Sequence, residues 1–208
     1  MAWLFTIVCL AALGATLYAE WQRPRQKRFP KMAAATAYIA VAIAVGVLDT
    51  TFGKIMLVGL VLSWLGDLFL TYSGRTTFVA GLVAFLAGHV AYVAAFANRG
   101  FGDELYLPAL ALIVIPIPIA GWLLPTVPRE LKAPVVAYMV VITLMLAAAS
   151  QTSFAVSDWR IPAGALAFYL SDLGVARDRF AAPGLVNRLV GLPLYFGGQL
   201  LLAWAAGG

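Results

Sequence analysis

Charge is scarce in this sequence, and so are the residues from which soluble active sites are built. Only 11% of the 208 residues are Asp, Glu, Lys or Arg, while 63% are hydrophobic. Soluble domains carry about 25% charged and roughly 45–50% apolar residues. A water-soluble fold of this size has no interior large enough to hide that much apolar surface, so lipid must be the solvent. The single cysteine, Cys9, lies inside an apolar run, which excludes a disulfide framework and a cysteine-based metal site. The single histidine, His89, excludes a multi-histidine metal centre. There is no Gly-x-Ser-x-Gly elbow, no P-loop and no Gly-rich dinucleotide turn. The net charge of +5 comes without any nucleic-acid motif and fits membrane-flanking loops instead.

What is present is a series of apolar runs. A membrane span needs about 20 mostly apolar residues, with a range of roughly 17–25. Spans are expected near 3–19, 33–49, 54–71, 77–97, 105–124, 134–150, 161–176 and 189–206. The fold class is therefore an all-α integral membrane protein of about eight transmembrane helices, one polytopic domain over residues 1–208. The first run is followed, not preceded, by a basic cluster, so it reads as helix one rather than a cleaved leader. Pro30, Pro134, Pro162 and Pro183 fall at or just before span starts, where a missing N–H does least harm. Trp3, Trp21, Trp122, Trp159 and Trp204 lie near span ends, as an interfacial belt requires. Pro116 and Pro118 sit inside the fifth span, which is expected to be kinked or unwound against protein or water.

Loop charge sets the expected orientation. Arg23, Arg25, Lys27, Arg28, Lys31, Arg75, Arg129, Lys132, Arg177, Arg179 and Arg188 fall in odd-numbered loops; Lys54, Arg99 and Arg160 fall in even ones. The positive-inside rule then puts the odd loops in the cytoplasm and both termini outside. The expected location is a bacterial inner (cell) membrane.

Two helix pairs resemble each other. Gly66-Asp67-Leu68 in the third span recurs as Ser171-Asp172-Leu173 in the seventh, at an offset of 105. Gly81-Leu82, Phe85 and Gly88-His89 in the fourth recur as Gly191-Leu192, Tyr195 and Gly198-Gln199 in the eighth, at an offset of 110. A real duplication would be parallel, about an axis along the membrane normal. It would bring Asp67 and Asp172 to equal depth, with His89 and Gln199 as counterparts further in. Chance similarity between apolar segments is the competing explanation.

Carboxylates inside a bilayer cost about 2.5–3.5 kcal/mol on insertion scales and usually face a bundle interior or wet cavity. Asp67 shares its face with Gly59, Ser63 and Thr71, and small polar neighbours suit a seam or cavity. Burial disfavours ionisation, and two close carboxylates titrate as a coupled pair. One protonated acid and one ionised base is the outcome expected at neutral pH, the arrangement needed for acid–base hydrolysis or a proton relay. The plain alternative is that each aspartate caps or bridges helices. His89 shares its side with Phe85 and Tyr92, and can orient an aspartate, water or polar head group, or be a satisfied core histidine. Tyr195 and Gln199 face together, as substrate contacts or interhelical glue. Tyr169 lies a turn before Asp172. Asn187 and Arg188 open the eighth span where a phosphate could sit, although Arg188 also counts as an ordinary loop charge. Asp49 and Glu20 read as interfacial.

Taken together, Gly66-Asp67, the run Phe78, Gly81, Leu82, Phe85, His89, Tyr92, then Ser171-Asp172 and Tyr195-x-x-x-Gln199 resemble the YhhN-like lysoplasmalogenase family over nearly the whole chain. The resemblance implies hydrolysis of the vinyl ether bond of lysoplasmalogen, a 1-alkenyl-glycerophosphocholine or -ethanolamine, to a fatty aldehyde and the glycerophospho head group. It implies catalytic roles for Asp67 and Asp172, a lysophospholipid drawn from the bilayer as partner, and no cofactor. A small proton-coupled transporter using the same aspartate pair is the competing class. An intramembrane aspartyl protease is disfavoured, because Trp64-Leu65-Gly66-Asp67 and Tyr169-Leu170-Ser171-Asp172 lack its Tyr-Asp and Gly-x-Gly-Asp contexts.

Overall fold

Helix ends follow residues that can satisfy or abandon backbone hydrogen bonds. In the computed structural model, which describes residues 1–22, 26–102 and 114–207, these ends delimit eight helices. They are α1 (Ala2–Gln22), α2 (Arg28–Ala44), α3 (Thr51–Leu70), α4 (Arg75–Arg99), α5 (Pro116–Leu123), α6 (Arg129–Val156), α7 (Arg160–Ala176) and α8 (Leu185–Ala205). A π-type turn over Arg177–Ala181 widens the end of α7. No strand occurs among the described residues. Thr50 caps α3 by accepting from the Gly53 N–H at 2.9 Å. Gly46 at φ +86° turns the chain between α2 and α3, where a side chain would be strained.

Five helices, α1, α3, α4, α6 and α8, are long and apolar enough to cross a membrane. Helices α2 and α7, at 17 residues each, sit at the short end of the spanning range. Leu4 and Ile7 of α1, Val58 of α3, Val83 of α4, Val140 of α6 and Val190 of α8 all point outward and are exposed. An apolar exterior of this extent belongs against acyl chains. The protein is an all-α, multi-pass membrane protein.

Two expected spans are displaced. The second begins at Arg28 and ends at Ala44 rather than covering 33–49, because Val45–Asp49 form turns around Gly46. The sixth starts at Arg129, after Pro128, so Pro134 lies inside the helix instead of opening it. Arg23, Arg25 and most of the first half of span 105–124 lie outside the described residues. Within the described part, the helical pattern is interrupted at Ile115, and Pro116 takes the first position of α5, as a proline break requires.

Without a hydrophobic driving force between helices in lipid, close packing of small residues holds them together. The two closest pairs, α3 with α4 and α7 with α8, use the same register. A Cβ at Gly88 would stand 3.2 Å from the Gly59 carbonyl oxygen, and one at Gly198 2.8 Å from that of Gly164. Likewise a Cβ at Gly81 would lie 3.4 Å from the Gly66 oxygen, and one at Gly191 3.6 Å from the Ser171 oxygen. Gly59 faces Tyr92 as Gly164 faces Leu202. Every one of these contacts obeys the offsets of 105 and 110, so the sequence repeat is also a packing repeat.

The equivalence extends one helix further back. At an offset of 107, Thr36 and Lys31 of α2 correspond to Thr143 and Tyr138 of α6. The Trp64 indole donates to Thr36 at 3.1 Å, and Tyr169, its counterpart, faces Thr143. The repeated unit is thus three helices, α2–α4 and α6–α8. Between the halves, Phe85, Phe168 and Tyr195 meet edge to face, with ring centroids 5.2–6.0 Å apart.

Candidate functional site

A cavity of about 510 Å³ opens at the end of the bundle where α3 and α7 finish. Its apolar walls come from Leu82 of α4, Ile119 and Leu123 of α5, and Val135, Met139 and Ile142 of α6. Its mouth is charged, with Glu20, Lys27, Asp178, Arg179 and Arg188. Both Asp67 and Asp172 line it, each within about one turn of its helix's last residue. The volume is that of a small-molecule site, with apolar walls and a few convergent polar groups.

The two carboxylates have different neighbours. Asp67 is buried, with its side chain 2% exposed. The Lys31 ammonium lies 3.0 Å from its Oδ1, and the Tyr195 hydroxyl donates to Oδ2 at 2.5 Å. Tyr195 is itself held from behind: Gln199 Nε2 donates to its oxygen at 3.4 Å, and the Tyr92 hydroxyl donates to Gln199 Oε1 at 2.8 Å. Asp172 is more open, at 16% side-chain exposure. Its Oδ2 accepts from the Tyr138 hydroxyl at 2.6 Å, and His89 Nε2 stands 3.6 Å away, beyond hydrogen-bond range. Among the described residues, no lysine or arginine forms an ion pair with Asp172.

At the mouth, the buried Glu20 carboxylate bridges Lys27 at 2.8 Å and Arg188 at 3.3 Å, and Arg188 also reaches Asp178 at 3.6 Å. Asn187 accepts from Arg177 and donates to the Ala182 carbonyl at 2.7 Å and Asp178 at 3.2 Å. This network fastens α1 and the wide turn after α7 to the start of α8.

Of the residues singled out in the sequence, Tyr169, Asn187, Arg188 and Tyr195 share the cavity lining with the two aspartates. His89, Tyr92 and Gln199 do not; they stand behind it, His89 beside Asp172 and the other two behind Tyr195. Three partners were not singled out. Lys31 reads as loop charge because α2 starts five residues earlier than its apolar run. Tyr138 is one more aromatic in an apolar stretch. Glu20 reads as interfacial because nothing local shows that Arg188, at the other end of the chain, covers it.

The fold and this cavity define a class: a multi-pass α-helical membrane protein with two unlike carboxylates in a lipid-facing bundle. The chain belongs to the YhhN family, whose sequence profile matches residues 26–206. It is similar to proteins named lysoplasmalogenase TMEM86A, 29% identical in Bos taurus and 31% identical in Homo sapiens, each over 155 residues. Those matches cover 72% of this chain and 63% of each relative's length. No solved structure matches.

Proposed function

We propose that this chain is a membrane-embedded lysoplasmalogenase that cleaves the vinyl ether bond of 1-alkenyl-glycerophosphocholine or -ethanolamine, with Asp67 and Asp172 as its acid–base pair. The observation that carries the reading is the cavity itself. Two carboxylates stand where apolar walls meet a charged mouth, the polarity profile of a single-chain amphiphile whose reactive bond adjoins its head group. The family membership and the relatives' names agree with it.

Vinyl ether hydrolysis begins with proton delivery to the β-carbon. The C=C pair forms the new C–H bond and leaves an oxocarbenium ion. Water adds to the carbon bearing oxygen as a base takes its proton, and the hemiacetal collapses to aldehyde and alcohol. The reaction therefore needs one carboxylic acid and one carboxylate, and fixed negative charge near the cation lowers the barrier. In this reading the alkenyl chain lies along Leu82, Met139 and Ile142, Tyr169 and Tyr195 flank the reacting bond, and the phosphate lies near Asn187 and Arg188. His89, Tyr92 and Gln199 act from behind by fixing the groups that line the cavity. The odd-numbered loops, and so the mouth, face the cytoplasm.

The test is aldehyde release from a 1-alkenyl lysophospholipid by purified protein in detergent, beside Asp67→Asn and Asp172→Asn. Release by the wild type, reduced about 10²- to 10⁴-fold in each variant, supports the hydrolase and both roles. The parallel repeat and the buried carboxylates favour a second reading, a proton-coupled transporter. Uptake driven by a proton gradient with no chemical product would establish that reading instead.

A further inference from the structure

The repeat shows where the two halves of the molecule have diverged, and the divergence falls on the aspartates' partners. Asp67 and Asp172 are equivalent at the offset of 105. The α2 and α6 positions that reach them, Lys31 and Tyr138, are equivalent at the offset of 107 fixed by Thr36 and Thr143. The first half places an ammonium 3.0 Å from its carboxylate; the second places a neutral hydroxyl 2.6 Å from its own. The α8 position that meets Asp67 is Tyr195, and its α4 equivalent is Phe85, which cannot donate. Resting on the hydrolase reading above, we propose that Lys31 and Tyr138 divide the labour of the two aspartates: Lys31 holds Asp67 as the carboxylate base, and Asp172 is the proton donor.

The surroundings fit that division. Asp67 receives one donor on each oxygen, Lys31 on Oδ1 and Tyr195 on Oδ2, which is the pattern of an ionised carboxylate. Behind these two, the Tyr38 hydroxyl stands 3.4 Å from that of Tyr195, and Tyr92 reaches Tyr195 through Gln199. Asp172 receives Tyr138 on Oδ2 only; His89 and Ser171 are its other polar neighbours. The Ser171 hydroxyl beside it donates to the Phe168 carbonyl at 2.9 Å, so Tyr138 is the donor committed to Asp172 among the described residues. Asp172 is also the more exposed of the pair toward the cavity.

The cycle closes on these assignments. The Asp172 O–H proton passes to the β-carbon, and the O–H pair stays on Asp172. The Asp67 carboxylate takes a proton from water as the water oxygen bonds to the oxocarbenium carbon. In the collapse, Asp172 takes the hemiacetal hydroxyl proton, the C–O bond to glycerol breaks, and Asp67 returns its proton to the leaving oxygen. Lys31 and Tyr138 touch no substrate atom in this scheme; they are positioning residues.

Infrared spectroscopy of the purified protein at neutral pH reads the proton directly, without turnover. The expected result is a buried carboxylic-acid C=O stretch that Asp172→Asn removes and Asp67→Asn keeps. Lys31→Met adds a second such band, Lys31→Arg does not, and the double variant Lys31→Met/Asp67→Asn loses the added one. In aldehyde release, Lys31→Met lowers kcat about tenfold or more with KM nearly unchanged, and Lys31→Arg restores most of it. A band lost in Asp67→Asn but kept in Asp172→Asn, or no such band at all, overturns the assignment. So does Lys31→Met with an unchanged spectrum and a raised KM, which would make Lys31 a head-group ligand. If Lys31→Met does not fold, the two Asn variants still decide where the proton is. Absence of aldehyde from the wild type would sink the hydrolase reading while leaving the spectroscopic result to stand or fall alone.

Discussion

The most informative single side chain is Tyr195. Its ring packs between Phe85 and Phe168, and its hydroxyl carries the only neutral hydrogen bond to Asp67 among the described residues. Tyr195→Phe keeps the ring and removes the bond. The expected effect is a loss of about tenfold in kcat, the scale of one hydrogen bond to a charged group, with thermal stability in detergent nearly unchanged. Gln199→Leu, one step further back, should show a smaller loss, since it only steadies Tyr195 and Tyr92. A Gln199 effect larger than that of Tyr195 would mean the network serves packing rather than the carboxylate. At this scale the aspartates were readable in the sequence, because an ionisable residue inside an apolar helix stands out without any knowledge of its contacts. Their partners were not. A tyrosine such as Tyr138 carries no mark of its role until α6 is laid beside α7, and Lys31 is masked by the basic cluster that precedes it.

Among the elements, the α7–α8 seam brings backbone close against backbone. Neighbouring glycines in α8 give a matched comparison. A Cβ at Gly198 would meet the Gly164 carbonyl oxygen at 2.8 Å and the Phe168 nitrogen at 3.1 Å, both backbone atoms that cannot swing aside. A Cβ at Gly197 would meet nothing within 4 Å. Gly198→Ala should therefore lower the unfolding temperature in detergent, by the equivalent of about 1–3 kcal/mol for overpacking. Gly197→Ala should be neutral or stabilising by up to about 1 kcal/mol. Equal effects at the two positions would contradict the seam. A second contact at the element scale lies outside the membrane core. Partial burial raises the Asp158 carboxyl, but hydrogen bonds from Arg160 outweigh it and hold Asp158 below the usual carboxylate range. A carboxyl lowered in the folded state stabilises above its unfolded value, and that contribution is lost as pH falls through the folded value. Asp158→Asn should thus cost about 1 kcal/mol or less at neutral pH, the scale of an ion pair that water still reaches, and nothing in acid. The helix pairs were foreshadowed by short motif repeats, whereas helix starts were misplaced where charged residues, such as Arg28 and Arg129, lie on the helix itself.

On the scale of the whole molecule, charge sorts the two ends of the bundle. Arg28 sits over Tyr72 and donates to the Thr71 carbonyl at 3.1 Å, beside the cavity mouth with Lys27, Arg179 and Arg188, while Arg99 and Arg160 lie at the other end. If the mouth faces the cytoplasm, as the positive-inside rule directs, a cysteine at exposed Ser73 should react only with membrane-permeant reagents in intact cells. One at exposed Asn98 should react with impermeant ones. Cys9 is buried and donates to the Ala34 carbonyl at 3.4 Å, so Cys9→Ser supplies a quiet background. The reverse labelling pattern would turn the molecule over and put the cavity on the outside. The overall class was legible from composition alone, since 63% hydrophobic residues leave no soluble alternative. The cavity was not, because its walls come from helices far apart in sequence.

The measurement that bears most directly on the central claim is the fate of a solvent deuteron. Purified protein in D2O is given a 1-alkenyl lysophospholipid, and the aldehyde is analysed by mass and position of label. Acid–base cleavage at the aspartate cavity predicts one deuterium on the carbon next to the carbonyl, in wild type only and not in Asp67→Asn or Asp172→Asn. No aldehyde from folded wild type with either head group, or aldehyde formed equally by both Asn variants, would contradict the account.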